Sequence, residues 1–169
     1  MVGDFDTLKT SVADFAASCA NKLRGQHSVA TSVTVCIMSN RFREDLPQYG
    51  NGTTITLETP TSDTIEITMA ATKALRAIYR EGIQYKKAGV ILSDISDASS
   101  IQQSLFDKIK NRPARHRLMK KIDELNHRFG LKTVRLVAEG EPKQLWHPKS
   151  EHKSGNYLSD INEILTIKI

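Results

Sequence analysis

Apolar residues recur at helical spacing between Asp6 and Arg24, where Leu8, Val12, Phe15 or Ala16, Cys19 and Leu23 share one face, and this predicts a first helix ended by Gly25. From Val29 to Ser39 the period changes to two. Val33, Val35 and Ile37 alternate with Thr34, Cys36 and Met38, the pattern of a strand with one face on a core. Asn51-Gly52 then opens a second alternating run, Thr53 to Thr59, in which Ile55 and Leu57 oppose Thr54 and Thr56, so an antiparallel pair is expected. A second helix is predicted from Asp63 to about Arg80, with Glu66 as the capping-box partner of Asp63 and with Ile67, Ala71, Ala74, Leu75 and Ile78 as its buried stripe. Gly82 stops it, and Gln84 to Ser93 form a third strand.

Helix, strand, strand, helix, strand, with both helices one-sided, is an α+β arrangement: an antiparallel sheet covered by two helices on a single face and free on the other. On the last strand Ala88, Val90 and Leu92 share the core parity, which leaves Lys87, Gly89 and Ile91 on the free face. Residues 94–104 lack periodicity and bulk and read as a linker. Pro113 opens a third helix in which Leu118, Ile122, Leu125 and Phe129 form the apolar stripe and Gly130 the end; Thr133 to Ala138 reads as a strand, followed by loop and a short apolar stretch from Ile161 to Ile169. The expected division is a sheet-and-helix domain at 1–95, a flexible linker at 96–112 and a small basic C-terminal domain at 113–169.

Charge sharpens this picture. The chain carries +5 overall, but residues 108–153 alone hold thirteen Lys or Arg against five acids, so the basic character belongs to the C-terminal third. Such asymmetry suits nucleic acid, whose neutralised phosphates release counterions, and it equally suits a solvated helix face. No apolar run reaches the roughly 18 residues needed to cross a bilayer and no signal-type N-terminus is present, so a cytoplasmic location without membrane contact is expected. Cys19 and Cys36 read as buried thiols rather than a disulfide framework. His116, His127, His147 and His152 fit no common ligand spacing, so no metal site is expected. Gln102, Ser104, Leu105 and Phe106 form an apolar hook beside an amide in a polar stretch, suited either to a small pocket on another protein or to packing on the following helix.

Phe5-Asp6 leading into an Ala-rich helix, Asp63-Thr64 opening the second helix, and Tyr85-x-Lys87-Ala88-Gly89-Val90 in the last strand resemble the little-finger domain of Y-family translesion DNA polymerases of the UmuC type. Gln102 to Asp107 resembles that family's clamp-binding segment, and Leu145-Trp146, Lys149, Ser154 and Tyr157 its short C-terminal domain. The resemblance implies a DNA-binding face built from Arg41, Arg43, Thr54, Thr56, Lys86, Lys87 and Gly89, with Gly89 letting a phosphate come close and Lys87 supplying charge beside it. It implies a sliding-clamp contact through Gln102, Ser104, Leu105 and Phe106, and further DNA or partner contacts through Trp146, Lys149 and Tyr157.

The palm, fingers and thumb of the family have no counterpart here, so no catalytic residue and no cofactor is expected in this chain, magnesium belonging to the parent polymerase. A UmuD-type subunit and a recombinase filament are the implied protein partners, in DNA repair and the SOS response near the nucleoid. The family's first strand also lacks a counterpart, so one sheet edge is either exposed or covered by a second copy in a homodimer. The competing expectation is a protein-interaction adaptor whose basic tail docks an acidic partner.

Overall fold

The computed structural model describes residues 1–101, 107, 109 and 111–140. Helix α1 (Phe5–Gly25) starts at Asp4, whose carboxylate accepts from the Thr7 N–H at 2.7 Å. Strand β1 (Ser28–Ser39) follows, then a reversal through residues 40–49 into β2 (Gly50–Thr61), helix α2 (Thr64–Ile78) and strand β3 (Tyr85–Asp97). A 3-10 turn at Ala98–Ser100, helix α3 (Arg112–Phe129) and a second turn at Val137–Glu139 complete the described elements. The fold is α+β, with β1 central in an antiparallel sheet of order β2-β1-β3.

The alternation of β1 decides which side is core. Val33, Val35 and Ile37 are at most 2% exposed and sit under α1 and α2, with Val33 opposite both Ile55 and Leu92. Ala13, Ala16 and Ala20 of α1 and Ala70, Ala71 and Ala74 of α2 are all buried, and such small side chains let the two helices approach closely. Leu8, Val12, Leu23, Ile67, Leu75 and Ile78 complete the core, each burial contributing about 1.5–3 kcal/mol. Tyr49, Tyr79 and Tyr85 close one end of it, with their hydroxyls donating to the carbonyls of Ile78 (2.7 Å), Gly3 (2.8 Å) and Arg80 (3.0 Å).

Several local expectations are corrected. The left-handed residue after α1 is His27 (φ 55°), not Gly25, which is the last helical residue. Asp63 caps α2 by accepting from the N–H groups of Ile65 (2.8 Å) and Glu66 (3.3 Å), but the Glu66 carboxylate is taken by Arg112 instead of completing a capping box. Strand β3 runs on to Asp97, because Ile95, Ser96 and Asp97 pair with Ala30, Val29 and Ser28; the stretch read as linker from residue 94 is thus strand for its first four residues. Thr133 to Ala138 is not a strand. It bends and then enters the Val137–Glu139 turn, and side chains take up its backbone groups: Asn126 accepts from the Val134 N–H at 2.7 Å and donates to the Val134 carbonyl at 2.9 Å, and the Glu139 carboxylate accepts from the Leu136 N–H at 2.8 Å.

Helix α3 docks where α1 ends and α2 begins, and ion pairs set its rotation. The Arg24 side chain, 8% exposed, grips Asp123 of α3 through two bonds of 2.6 and 2.8 Å while also donating to the Ser62 carbonyl and the Thr64 hydroxyl. Arg115 pairs with Asp63 at 2.7 Å, and Arg112 forks between Asp107 and Glu66. Arg112, together with the Ile109 N–H, holds the Asp107 carboxyl down at about 2, whereas burial pushes Glu66 above the usual carboxylate range. The consequence is a different buried face from the one expected: Met119 is 2% exposed, while Leu118, Leu125 and Phe129 are 51%, 41% and 61% exposed.

Candidate nucleic-acid interface

The same alternation that buries Val33, Val35 and Ile37 turns Thr34, Cys36 and Met38 to the helix-free side of the sheet, and the strand registers extend each into a row. Thr34 lies between Thr54 and Ile91, Cys36 between Gly52 and Gly89, and Met38 between Gly50 and Lys87. In the first row the Thr34 and Thr54 hydroxyls are 2.8 Å apart and bonded to each other. The middle row has no side chain at either end, so its floor is backbone with the Cys36 thiol at its centre. A Cβ on Gly89 would come within 3.1 Å of the Cys36 Sγ, and one on Gly52 within 3.4 Å of the Val35 carbonyl. Neither glycine has a positive φ, so what each supplies is space rather than an unusual backbone angle. The result is a shallow trough across the sheet with hydroxyls on one bank and Lys87 on the other.

The structure brings Thr54, Thr56, Lys87 and Gly89 together on this face, with the threonines and the lysine exposed. Lys86 is elsewhere: it is the extra residue at the irregularity between the Met38–Lys87 and Ser39–Tyr85 pairs, and it borders a cleft under α1. Arg41 is exposed in the turn that follows β1, beside Phe42, which is 90% exposed. Neither Arg41 nor Lys87 takes part in an ion pair among the described residues. Arg43 is not a free cation, because Asp45 lies two residues on and holds it through two bonds of 2.6 Å. That pairing raises the Arg43 guanidinium and lowers the Asp45 carboxyl relative to their usual ranges.

Cys36 is exposed, against the expectation of a buried thiol; it shares the parity of Thr34 and Met38, a signal already present in the alternation. Thr34, Met38, Gly52 and Ile91 join the face by the same rule. The hook of Gln102, Ser104, Leu105 and Phe106 lies outside the described residues, as do Trp146, Lys149 and Tyr157. Elsewhere the exposed cations Arg117, Lys120, Lys121 and Arg128 line the outer side of α3, where Lys121 pairs with Glu124 at 2.6 Å. A flat floor with hydroxyls and an ammonium at its margins is chemically suited to a polyanionic strand, which needs positioning contacts and no base-specific ones.

Comparison with known proteins agrees with this architecture. Residues 1–105 match the model of the impB/mucB/samB family C-terminal domain, and residues 116–167 match a domain of unknown function. The chain is 35% identical over 167 residues to Protein UmuC of Salmonella typhimurium strain LT2, covering 99% of this chain and 39% of that protein. It is 34% identical over 163 residues to Protein ImpB of Salmonella typhimurium, covering 96% of this chain and 38% of that one. Protein MucB of Escherichia coli is 36% identical over 121 residues, or 72% of this chain and 28% of the relative. The chain therefore spans about two fifths or less of the length of these relatives. With one family description accounting for residues 1–105 of 169, the chain belongs to the impB/mucB/samB family and carries the C-terminal domain of the UmuC-type Y-family proteins.

Proposed function

We propose that this chain is the non-catalytic part of a UmuC-like error-prone translesion DNA polymerase that grips DNA and tethers the enzyme to its sliding clamp during repair of damaged DNA in the SOS response. The trough of Gly52, Cys36 and Gly89, with Lys87 and the Thr34–Thr54 pair on its banks, carries the reading: it is an open sheet face whose residues are small where a sugar-phosphate backbone would lie. Arg41 adds charge at the end of β1. Nucleotide addition, and the magnesium it uses, belong in this reading to the polymerase core of the parent protein. The clamp contact is made by Leu105 and Phe106, with Gln102 and Ser104 at the rim of the clamp's pocket, and a UmuD-type subunit and a recombinase filament are further partners.

Fluorescence anisotropy with a primed duplex at two salt concentrations tests the DNA contact. Binding that weakens steeply with salt, and that Lys87→Glu and Arg41→Glu weaken with a smaller salt slope, supports it; titrations unchanged in both variants remove the sheet from the reading. A pull-down with purified clamp in which the double variant Leu105→Ala, Phe106→Ala binds as well as the parent rejects the tether.

A second reading is favoured by α3, whose outward Leu118, Leu125 and Phe129 lie next to Lys121 and Arg128: a protein-interaction adaptor for an acidic partner. Clamp or partner binding without any shift on DNA selects it over the first.

A further inference from the structure

The turn between β1 and β2 is held by more bonds than a surface connection needs. Its base is closed by Ser39, whose N–H donates to the Tyr49 carbonyl at 2.8 Å and whose hydroxyl accepts from the Tyr49 N–H at 2.9 Å. Inside the turn the Gln48 side-chain amide donates to the carbonyls of Asn40, Arg43 and Leu46 at 3.2, 2.7 and 3.1 Å, and its oxygen accepts from the Ser39 hydroxyl at 3.1 Å. The Asn40 side chain accepts from the Phe42 N–H at 3.3 Å, and Pro47 fixes one more backbone angle. These bonds fix the backbone on both sides of Phe42, while its ring is left 90% exposed.

A protein partner would bury such a ring inside a patch of further apolar side chains, and within residues 40–49 no other large apolar side chain is exposed. The residues around it, Arg41, Arg43, Glu44 and Asp45, are all charged and exposed. A nucleotide suits those surroundings, because its base offers a flat π-face to the ring and its phosphate a partner to the cation alongside. Arg41 is the cation for that role, since Asp45 already holds Arg43. The base must be unpaired: inside a duplex its faces are covered by neighbouring bases, and reaching one requires unstacking. A ring on a backbone already fixed also gives up little freedom on binding.

We propose that Phe42 stacks on an unpaired nucleobase where a single strand leaves the duplex, with Arg41 meeting the phosphate of that nucleotide. This contact rests on the DNA reading of the sheet face and extends it from duplex backbone to the junction between paired and unpaired DNA. The turn continues from the end of β1 at which Met38 pairs with Gly50 and Lys87, so a strand that passes Lys87 meets the turn next. Every base has a π-face, and the contact is therefore tolerant of sequence.

Fluorescence anisotropy on the full chain tests it with three probes of equal length: a primed template with a 5′ single-stranded overhang, the same template with abasic sites throughout the overhang, and a blunt duplex. Phe42→Ala, with the parent's circular dichroism, is expected to bind the normal overhang roughly 5- to 100-fold more weakly and the abasic and blunt probes within about twofold of the parent. Its salt slope on the overhang should equal the parent's, because no cation is lost. Phe42→Tyr keeps a π-face and should bind as the parent does, whereas Phe42→Leu, apolar without one, should resemble Phe42→Ala. Phe42→Ala binding the normal overhang like the parent, losing affinity equally on the blunt duplex, or being matched to the parent by Phe42→Leu each overturns the stacking. If Lys87→Glu weakens all three probes while Phe42→Ala weakens none, the stacking alone fails and the sheet contact stands; a parent that binds no probe overturns both.

Discussion

Gly89→Val separates the shape of the trough from its charge. Gly89 lies in strand β3 opposite Cys36 and without a positive φ, so valine meets no backbone strain there. Its β-branched side chain suits a pleated strand, a gain of up to about 1 kcal/mol over glycine. Against that stands the new Cβ at 3.1 Å from the Cys36 Sγ. The sulfur is the end of a single-torsion side chain on an open face and can rotate away, so the net change in folding stability is expected to lie within about 1 kcal/mol. DNA affinity should respond differently. The two methyl groups stand in the trough and lift a phosphate off its floor; losing one hydrogen bond to a charged group costs about 1.5–3 kcal/mol, or roughly 10- to 100-fold in affinity. No charge is removed, so the slope of log affinity against log salt should be that of the parent, whereas Lys87→Ala should lower it by about 0.9. Anisotropy titrations over a salt series give both quantities, and urea denaturation gives the stability. A stable Gly89→Val protein that binds primed DNA within twofold of the parent refutes the trough as the seat of the backbone.

Three further outcomes concern packing and charge. Asp123→Ala leaves the Arg24 guanidinium buried with only the neutral Ser62 carbonyl and Thr64 hydroxyl as partners, and urea denaturation should show a loss of about 3 kcal/mol, larger than for Arg24→Met with Asp123→Leu together; a loss below that of the double variant contradicts the docking of α3 through this pair. The Thr68 hydroxyl in α2 is buried without a hydrogen-bond partner among the described residues, so Thr68→Val should raise stability by about 1 kcal/mol in the same assay, and a clear loss counts against the packing described. The Glu139 carboxyl is pushed above its usual range by burial first and then by Asp14, outweighing the Leu136 N–H and Lys132. The folded chain therefore binds this proton more tightly than the unfolded one, and the stabilisation it brings below pH 4.5 is lost as pH rises toward the raised value. Thermal midpoints across that window should fall less in Glu139→Gln than in the parent, and parallel curves would exclude the assignment.

The elements of the sheet unit are legible in the sequence because each is long enough for its period to repeat. Val33, Val35 and Ile37 state the buried side of β1, and the same alternation assigns Thr34, Thr54, Lys87 and Gly89 to the open one. The orientation of α3 is not legible. Leu118, Ile122, Leu125 and Phe129 make a better apolar stripe than the face that is buried, but Arg115, Arg112 and Asp123 find partners in Asp63, Glu66 and Arg24, between 46 and 99 residues away in the chain. Such partners leave no local signature, and the bidentate pairs they make rotate the helix away from its own hydrophobic preference. The same contacts change what the local charge excess means. Of the basic residues in α3, Arg112 and Arg115 are engaged with carboxylates of α2 and its cap, and Arg43 in the β1–β2 turn is closed by Asp45. Among the described residues, Lys87 and Arg41 near the trough and Arg117, Lys120 and Arg128 on the outside of α3 are exposed and outside these pairs. An electrostatic footprint taken from composition thus points to the C-terminal third, while the face proposed to seat a backbone is on the sheet, where exposed Lys87 stands beside a floor kept open by Gly52 and Gly89.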